Sequence, residues 1–263
     1  MIHLANKNAL ITGANSGIGA AIAKRLAKEG CNLFLTGQNG QRLLETKEIC
    51  GKEGVKVHQQ QCDFSEFQSI DKLANAIKEI GFHIDLFILN AGVSQRSRGF
   101  DTDFETDRKI MQVNYWSHVY LIKKFKDEIL ASEHVNIAVT TSLAGLFGFP
   151  LRTSYCSSKH ALFGFFESLD LEYQNINVTF LIPGRINTPI SKSALLGNGE
   201  KYGQMDPGQA NGLDADEAAA KAVKAIRKEK HRQLIGKSEI LMAYINRYMP
   251  WLYYKIAKNI SPT

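Results

Sequence analysis

TGANSGIGAAIAKRLAKEG, residues 12–30, sets three glycines at the junction between a short apolar run and an amphipathic one. Gly13, Gly17 and Gly19 let a backbone turn tightly and approach a ligand closely. The spacing predicts a helix from near Gly17, whose first N–H groups have no partner of their own and point back at the turn. The run before it, NALITGA, reads as a strand. Strand, glycine turn and helix in this order make a phosphate cradle at the first crossover of a doubly wound sheet, where the pyrophosphate of a dinucleotide would sit.

Working outward, short apolar segments alternate with longer helical patterns. NALITGA, CNLFLTG, VKVHQQ, DLFILNAG, VNIAVTTS, NVTFLIPG and RQLIG read as seven strands. Amphipathic stretches near 17–29, 40–52, 65–80, 101–131, 154–174 and 214–229 lie between them. Strict alternation implies a parallel sheet covered by helices on both faces. The expectation is an α/β protein with a single Rossmann-fold domain, a doubly wound seven-stranded parallel sheet over residues 1–235, and an aromatic and basic extension over 236–263.

Composition narrows the function classes. The 263 residues are 44% hydrophobic and 22% charged, enough for a large core. The opening MIHLANKNALITGANSG turns polar after a short apolar patch, with no signal-peptide h-region, and no apolar run approaches the ~18 residues of a membrane span. A soluble, cytoplasmic protein is expected. Cys31, Cys50, Cys62 and Cys156 form no CxxC pair and read as reduced thiols, and the seven histidines show no metal-ligand spacing. No metal site is expected. The net charge of +6 is spread rather than clustered, apart from KKFK at 123–126 and RKEKHR at 227–232. Such runs are solvated helix faces, which argues against nucleic acid as a partner and suits a polyanionic cofactor.

The chemistry is in YCSSK, residues 155–159. Tyr155 and Lys159, four apart, project from one helix face. A phenol titrates near 10, too high for efficient proton exchange at neutral pH, and a neighbouring ammonium favours the phenolate. The strand VNIAVTTS ends at Ser142, and strand ends of an open parallel sheet face the same crevice as the glycine turn. A serine that holds a substrate oxygen and a tyrosine that protonates it, beside a dinucleotide, describe hydride transfer to or from a carbonyl or alcohol.

These motifs, TGANSGIG (12–19), CDFS (62–65), NAG (90–92), VN (113–114), Ser142, YCSSK (155–159) and PGRINT (183–188), resemble the ordered set of the short-chain dehydrogenases/reductases over about residues 5–235. NAGVSQRS and YCSSKHALFGFF are further similar to animal carbonyl reductases of the dehydrogenase/reductase group that act on lipid-like carbonyls. The resemblance implies a catalytic set of Asn114, Ser142, Tyr155 and Lys159. In it Tyr155 is the acid/base, Lys159 lowers its pKa and bonds the nicotinamide ribose, Ser142 orients the carbonyl, and Asn114 helps hold a water in the proton path. It implies cofactor contacts at Gly13, Asn15, Ser16, Gly17, Ile18, Gly19, Gln38, Asp63, Phe64, Asn90, Ala91, Gly92, Tyr155, Lys159, Pro183, Gly184, Ile186 and Thr188, and substrate contacts at Ser142 and Tyr155.

The cofactor itself is read from LFLTGQNGQR. Gly37 stands where an acid that selects NAD would fall, so nothing repels a 2′-phosphate and NADP(H) is expected, with NAD(H) the alternative. The usual basic residue is absent as well, leaving Gln38 and Asn39, helped by Arg42, to meet the phosphate. After Thr188 a Gly-rich loop, about 189–213, carries isolated apolar residues, and Leu195, Leu196 and Met205 are expected to contact an apolar carbonyl or alcohol; the alternative is a loosely ordered surface loop. The helix of HALFGFFESLDL is apolar nearly all round, so a second copy of the chain, in a homodimer or homotetramer, is expected to cover Phe163 and Phe166. In the tail, 240–260, aromatics interleave with Arg247, Lys255 and Lys258, which suits either peripheral membrane contact or packing of Tyr244, Tyr248, Trp251, Tyr253 and Tyr254 on the pocket or a neighbouring subunit. Rival readings are a reductase for carrier-bound 3-oxoacyl chains and an NADP-binding sensor or scaffold without turnover.

Overall fold

The computed structural model describes residues 1–259; residues 260–263, the last of the extension, lie outside the described residues. Seven strands form one parallel sheet: β1 Asn8–Thr12, β2 Asn32–Gly37, β3 Val57–Gln61, β4 Leu86–Leu89, β5 Val135–Thr140, β6 Ile176–Pro183 and β7 Arg232–Ile235. Their order is β3-β2-β1-β4-β5-β6-β7, so the winding reverses between β1 and β4. The register pairs Leu10 with both Phe34 and Phe87, and Ile137 with Val178.

The apolar runs of the strands are continuous because both sheet faces are covered, and side-chain alternation divides them between two cores. Leu10, Phe34, Phe87, Ile137, Val139, Val178 and Phe180 join one cluster with α3 Phe67–Glu79, α5 Ser117–Lys124 and α7 Thr153–Glu172. Ala9, Ile11, Leu33, Leu35, Leu86, Ile88, Ala138 and Leu181 join the other, with α1 Gly17–Lys28 and α9 Ala215–Arg227. The remaining helices are α2 Gly40–Gly51, α4 Phe104–Met111, α6 Lys126–Ala131, α8 Pro207–Ala210, α10 Leu241–Tyr248 and α11 Pro250–Ala257.

Three expectations are corrected. The stretch 101–131 is not one helix: α4 passes through a π turn, Gln112–Trp116, before α5 and then α6. The loop after Thr188 is built rather than loose, since Leu195 pairs with Gln95 and Lys201, and the 3-10 turn Pro189–Ser191 and α8 flank it. Phe163 and Phe166 need no second subunit. Both are buried within the chain, Phe163 with its ring centre 4.6 Å from that of Phe180 on β6. The face of α7 turned outward carries Ser157, His160, Gly164, Ser168 and Leu171 instead. In the tail, Pro250 ends α10 and opens α11. Tyr253 alone of its five aromatics enters the core, 4.8 Å from Phe147 between ring centres, whereas Tyr244, Tyr248, Trp251 and Tyr254 stay exposed.

Candidate active site

Every residue implied for the site follows the carboxyl end of a strand or lies on α1, α7 or the π turn, so the sheet collects them along one edge. The crevice opens where the strand order reverses, between β1 and β4. Thr12, fully buried at the end of β1, fixes its two sides: its Oγ1 accepts the N–H groups of Asn90 and Ala91 at 2.8 and 2.9 Å. The Asn90 side chain donates back to Thr12 O at 3.2 Å.

Within this frame the glycine turn has no spare volume. Gly13 has φ +66°, and a Cβ there would lie 3.0 Å from Ala91 Cα. A Cβ on Gly19 would overlap Gly13 O and come 2.5 Å from Asn90 Nδ2. The surface left open is therefore backbone, and α1 begins uncapped: Ser16, in the N-cap position, makes no side-chain bond to the helix N–H groups. Asn15, Gly17 and Ile18 complete the turn, and Thr188 packs against Gly17. A cradle that a Cβ would fill, at an uncapped helix start, fits a phosphate-bearing cofactor.

Around the second strand the neutral side chains are already engaged. A Cβ on Gly37 would press on the Asn15 side chain, and the glycine itself offers no carboxylate there. Gln38 donates to Asp63 at 3.1 Å, and Asn39 caps α2 by accepting Arg42 N at 3.0 Å. The Arg42 side chain is exposed. Burial alone would raise the Asp63 carboxyl, but hydrogen bonds from Ser65 and Gln38 hold it below the usual carboxylate range. The Phe64 side chain is buried in the core cluster that holds Ile70 and Leu73.

The four catalytic candidates meet at one wall. Asn114 sits in the π turn, fully buried, with Oδ1 accepting Val93 N at 2.8 Å and Nδ2 donating to Val93 O and Ser158 Oγ, both at 2.9 Å. Such turns interrupt the regular ladder and are frequent at functional sites. The Asn114 carbonyl accepts from His118 Nδ1 at 2.9 Å. Lys159 is buried, donates to Thr140 O at 2.9 Å, and lies 6.0 Å from the Tyr155 ring centre. Burial pulls its pKa down to about 8. Ser142 Oγ accepts Ala144 N at 3.2 Å.

Tyr155 departs from the expected tuning. Burial pushes its phenol above the ordinary value, and the groups that pull it down are Arg152 and then the Ser142 hydroxyl, not Lys159. The Arg152 guanidinium lies 5.8 Å from the ring centre. The phenol is thus a protonated donor at neutral pH. Cys156, next along the helix, is buried, and its thiol is likewise raised by burial, so it is no thiolate nucleophile. Among the described residues no three His, Cys, Asp or Glu side chains cluster as metal ligands.

Ser142 and Tyr155 open on a cavity of about 250 Å³ that also touches Ile18, Pro183, Gly184, Ile186 and Thr188. Leu195, Leu196 and Met205 do not line it. Leu195 is spent on the pairing with Gln95, and the loop instead contributes Ile190, Asp206, Gly208 and Gln209. Met242 reaches the cavity from α10. Among the lining residues that sequence reasoning missed, three charged ones lie together: Arg96, Arg152 and Asp206. The signal for Arg152 was its closeness in sequence to Tyr155, three positions on, at the N-cap position of α7. Arg96 and Asp206 are 110 residues apart and had none.

Comparison with known proteins agrees with this architecture. The short chain dehydrogenase family model matches residues 7–198. The mouse protein named dehydrogenase/reductase SDR family member 7B is 33% identical over 97% of this chain and 81% of its own. The Anopheles gambiae dehydrogenase/reductase SDR family protein 7-like is also 33% identical, over 98% of this chain and 84% of its own. Among solved structures, a short chain dehydrogenase/reductase from Burkholderia phymatum in complex with NAD superposes with TM-score 0.83 at 23% identity, covering 100% of this chain and 98% of that one. An alcohol dehydrogenase from Thermococcus sibiricus complexed with 5-hydroxy-NADP gives TM-score 0.75 at 26% identity, over 88% of this chain and 97% of that one. With the family model spanning most of its length and relatives matched nearly end to end, the chain belongs to the short-chain dehydrogenase/reductase family of oxidoreductases.

Proposed function

We propose that the protein is an NADP(H)-dependent reductase of carbonyl compounds with an apolar body. The observation that carries this reading is that Ser142 and Tyr155 line the cavity that Ile18 of the glycine turn also touches, while Asn114 and Lys159 lie buried behind them, both against Gly92. Solved relatives in complex with NAD and with an NADP derivative support a nicotinamide cofactor. When bound, it supplies the hydride. The backbone of Gly13–Gly19 would hold its pyrophosphate, and Asp63, Asn90–Gly92, Tyr155, Lys159, Pro183 and Thr188 its remaining parts. NADP(H) is preferred because Gly37 puts no carboxylate where one would repel a 2′-phosphate, and the Arg42 guanidinium is exposed to meet that phosphate.

Ser142 holds the substrate oxygen, and Tyr155 gives it a proton as the carbonyl carbon is reduced. The phenol, raised by burial, is the proton donor in reduction, and its phenolate takes the proton back in the reverse oxidation. Lys159, anchored on Thr140 O, and Asn114, anchored on Val93 and Ser158, keep the far side of the phenol polar and fixed.

Two surfaces belong to the same reading. The outward face of α7, with Gly164 and the neighbouring exposed Trp116, suits close approach of a second copy in a homodimer or homotetramer. The exposed aromatics of α10 and α11, with Arg247, Lys255 and Lys258, suit peripheral contact with an anionic lipid surface. Among the described residues no helix is long and apolar enough to cross a membrane.

NADPH and NADH consumption by the purified protein over aliphatic and aromatic ketones and aldehydes tests the reading. Wild type is expected to oxidise NADPH faster than NADH. Tyr155→Phe is expected to lower kcat by roughly 10²–10⁴-fold while cofactor binding by calorimetry is retained. Full turnover in Tyr155→Phe would refute it.

A further inference from the structure

The charged groups of the cavity do not balance. Arg96 and Asp206, with side-chain exposures of 5% and 6%, form an ion pair. Arg152 Nη2 approaches the same Asp206 oxygen at 3.5 Å, and its Nη1 donates to Ser94 Oγ at 2.6 Å. Two cations thus share one anion. Arg96 Nε and Nη1 and Asp206 Oδ1 are buried with no protein partner. The other charged lining residues, Arg185 and Glu239, offset one another and leave the excess positive.

A latch between the loop after β6 and the segment after β4 would need a single arginine. The second, with its side chain 22% exposed, adds a positive charge that has no anion of its own and shares Asp206, a costly arrangement unless something else pairs with it. Burial, and then the Arg96 charge, depress the Arg152 pKa, which reports the same crowding. Planar guanidinium forks match carboxylate and phosphate oxygens two at a time, which a lysine would not do.

We propose that Arg96 and Arg152 form an anion-binding subsite, and that the substrate is a carbonyl compound bearing a carboxylate or phosphate near its reacting carbon and an apolar body beyond it. This rests on the reductase reading and names the substrate class for it. Arg152 fixes the distance: its guanidinium is 5.8 Å from the Tyr155 ring centre, so anion and carbonyl belong to one compact head. Leu143, Phe149, Ile190 and Met242 offer the apolar remainder of the cavity to the body. Asp206 is the resident counter-ion against which the ligand's anion competes.

The test measures binding as well as turnover, on the full chain, with and without NADPH. The probes are a medium-chain 2-oxo carboxylate and its methyl ester, and the phosphate monoester of a hydroxyketone of similar length beside the free hydroxyketone. Wild type is expected to bind at least one anion more tightly than its neutral partner, and the preferred pair separates carboxylate from phosphate. Arg96→Gln and Arg152→Gln are each expected to reduce that preference roughly 10–100-fold, as for a lost charge-assisted hydrogen bond. Arg96→Lys is the variant that keeps the charge should Arg96→Gln fail to fold. Asp206→Asn is expected to shift the other way and tighten the anion several-fold, which a mere latch would not do. Equal binding of anion and neutral partner by wild type, or unchanged preference in both arginine variants, overturns the proposal. Anion-selective binding without turnover on any probe would leave the subsite standing and refute the reductase reading alone.

Discussion

Replacing Thr12 by valine keeps the shape of the side chain and removes the one oxygen that joins the two sides of the cofactor crevice. In the folded protein Thr12 Oγ1 accepts two backbone N–H groups, from Asn90 and Ala91, at full burial. A buried donor left without its acceptor costs about 1–3 kcal/mol, so two put the loss at about 2–6 kcal/mol, the Val packing being nearly neutral. With an unfolding entropy of about 2.1 cal/mol/K per residue, that corresponds to a fall in Tm of about 4–11 °C. Thermal unfolding followed by circular dichroism, with Thr12→Ser as the control that keeps the hydroxyl, reads it directly. Because Asn90 and Ala91 then lose their anchor, KM for NADPH is expected to rise in Thr12→Val and not in Thr12→Ser. Equal Tm for the two variants would refute the assignment of Thr12 as the joint of the crevice.

The buried titratable groups give two pH signatures. Lys159 has its pKa depressed to about 8, so between that value and its ordinary 10.5 the unfolded chain binds a proton the native protein does not, and stability rises with pH. Urea unfolding at pH 7 and pH 10 is expected to show wild type gaining about 2–3 kcal/mol relative to Lys159→Met, while the buried thiols, with pKa values raised to about 11–12, lower the stability of both proteins alike over that range. His118, pulled by burial to about 3, works in the acid range: as pH falls below 6.5 the unfolded state gains a proton the native state refuses, and stability drops. His118→Gln is expected to move the acid-unfolding midpoint to lower pH. For the tail, deletion would also remove the buried Tyr253, which donates to Gly148 O, so the cleaner test substitutes Tyr244, Tyr248 and Trp251 with serine. Binding to anionic liposomes by co-sedimentation is expected to fall with Tm unchanged; undiminished binding would show that this face does not touch the lipid.

The five inner strands were legible because a parallel sheet covered on both faces demands apolar runs, whereas the edge strands β3, VHQQQ, and β7, RQLI, are largely polar and were placed by the alternation with helices. The glycine turn was legible for a related reason, since only backbone fits where Gly13 and Gly19 meet Asn90 and Ala91. What depends on long-range contact was not. The apolar circumference of α7 suggested a missing subunit, yet Phe180 on β6 and the core behind it accommodate Phe163 and Phe166 within one chain. Lys159 was assigned to tune Tyr155 from helical spacing and from the family resemblance. Neither could show that its ammonium donates to Thr140 O, or that the Arg152 guanidinium stands 5.8 Å from the same ring centre, beside the 6.0 Å of Lys159. Apolar residues of the loop after Thr188 suggested substrate contacts, but hydropathy cannot distinguish a side chain spent on closing the loop, such as Leu195, from one facing the cavity, such as Ile190.

The π turn at Gln112–Trp116 sets the angular phase of all that follows it on the same rod. Removing the extra residue would restore a regular α-helix and rotate α5 by about 100° relative to α4. Val119, Leu121 and Ile122 would leave the core together, and Asn114 would swing away from Val93 and Ser158. Sequence drift in this segment is therefore confined to substitution, and length variation among functional descendants of the chain belongs in the surface loops.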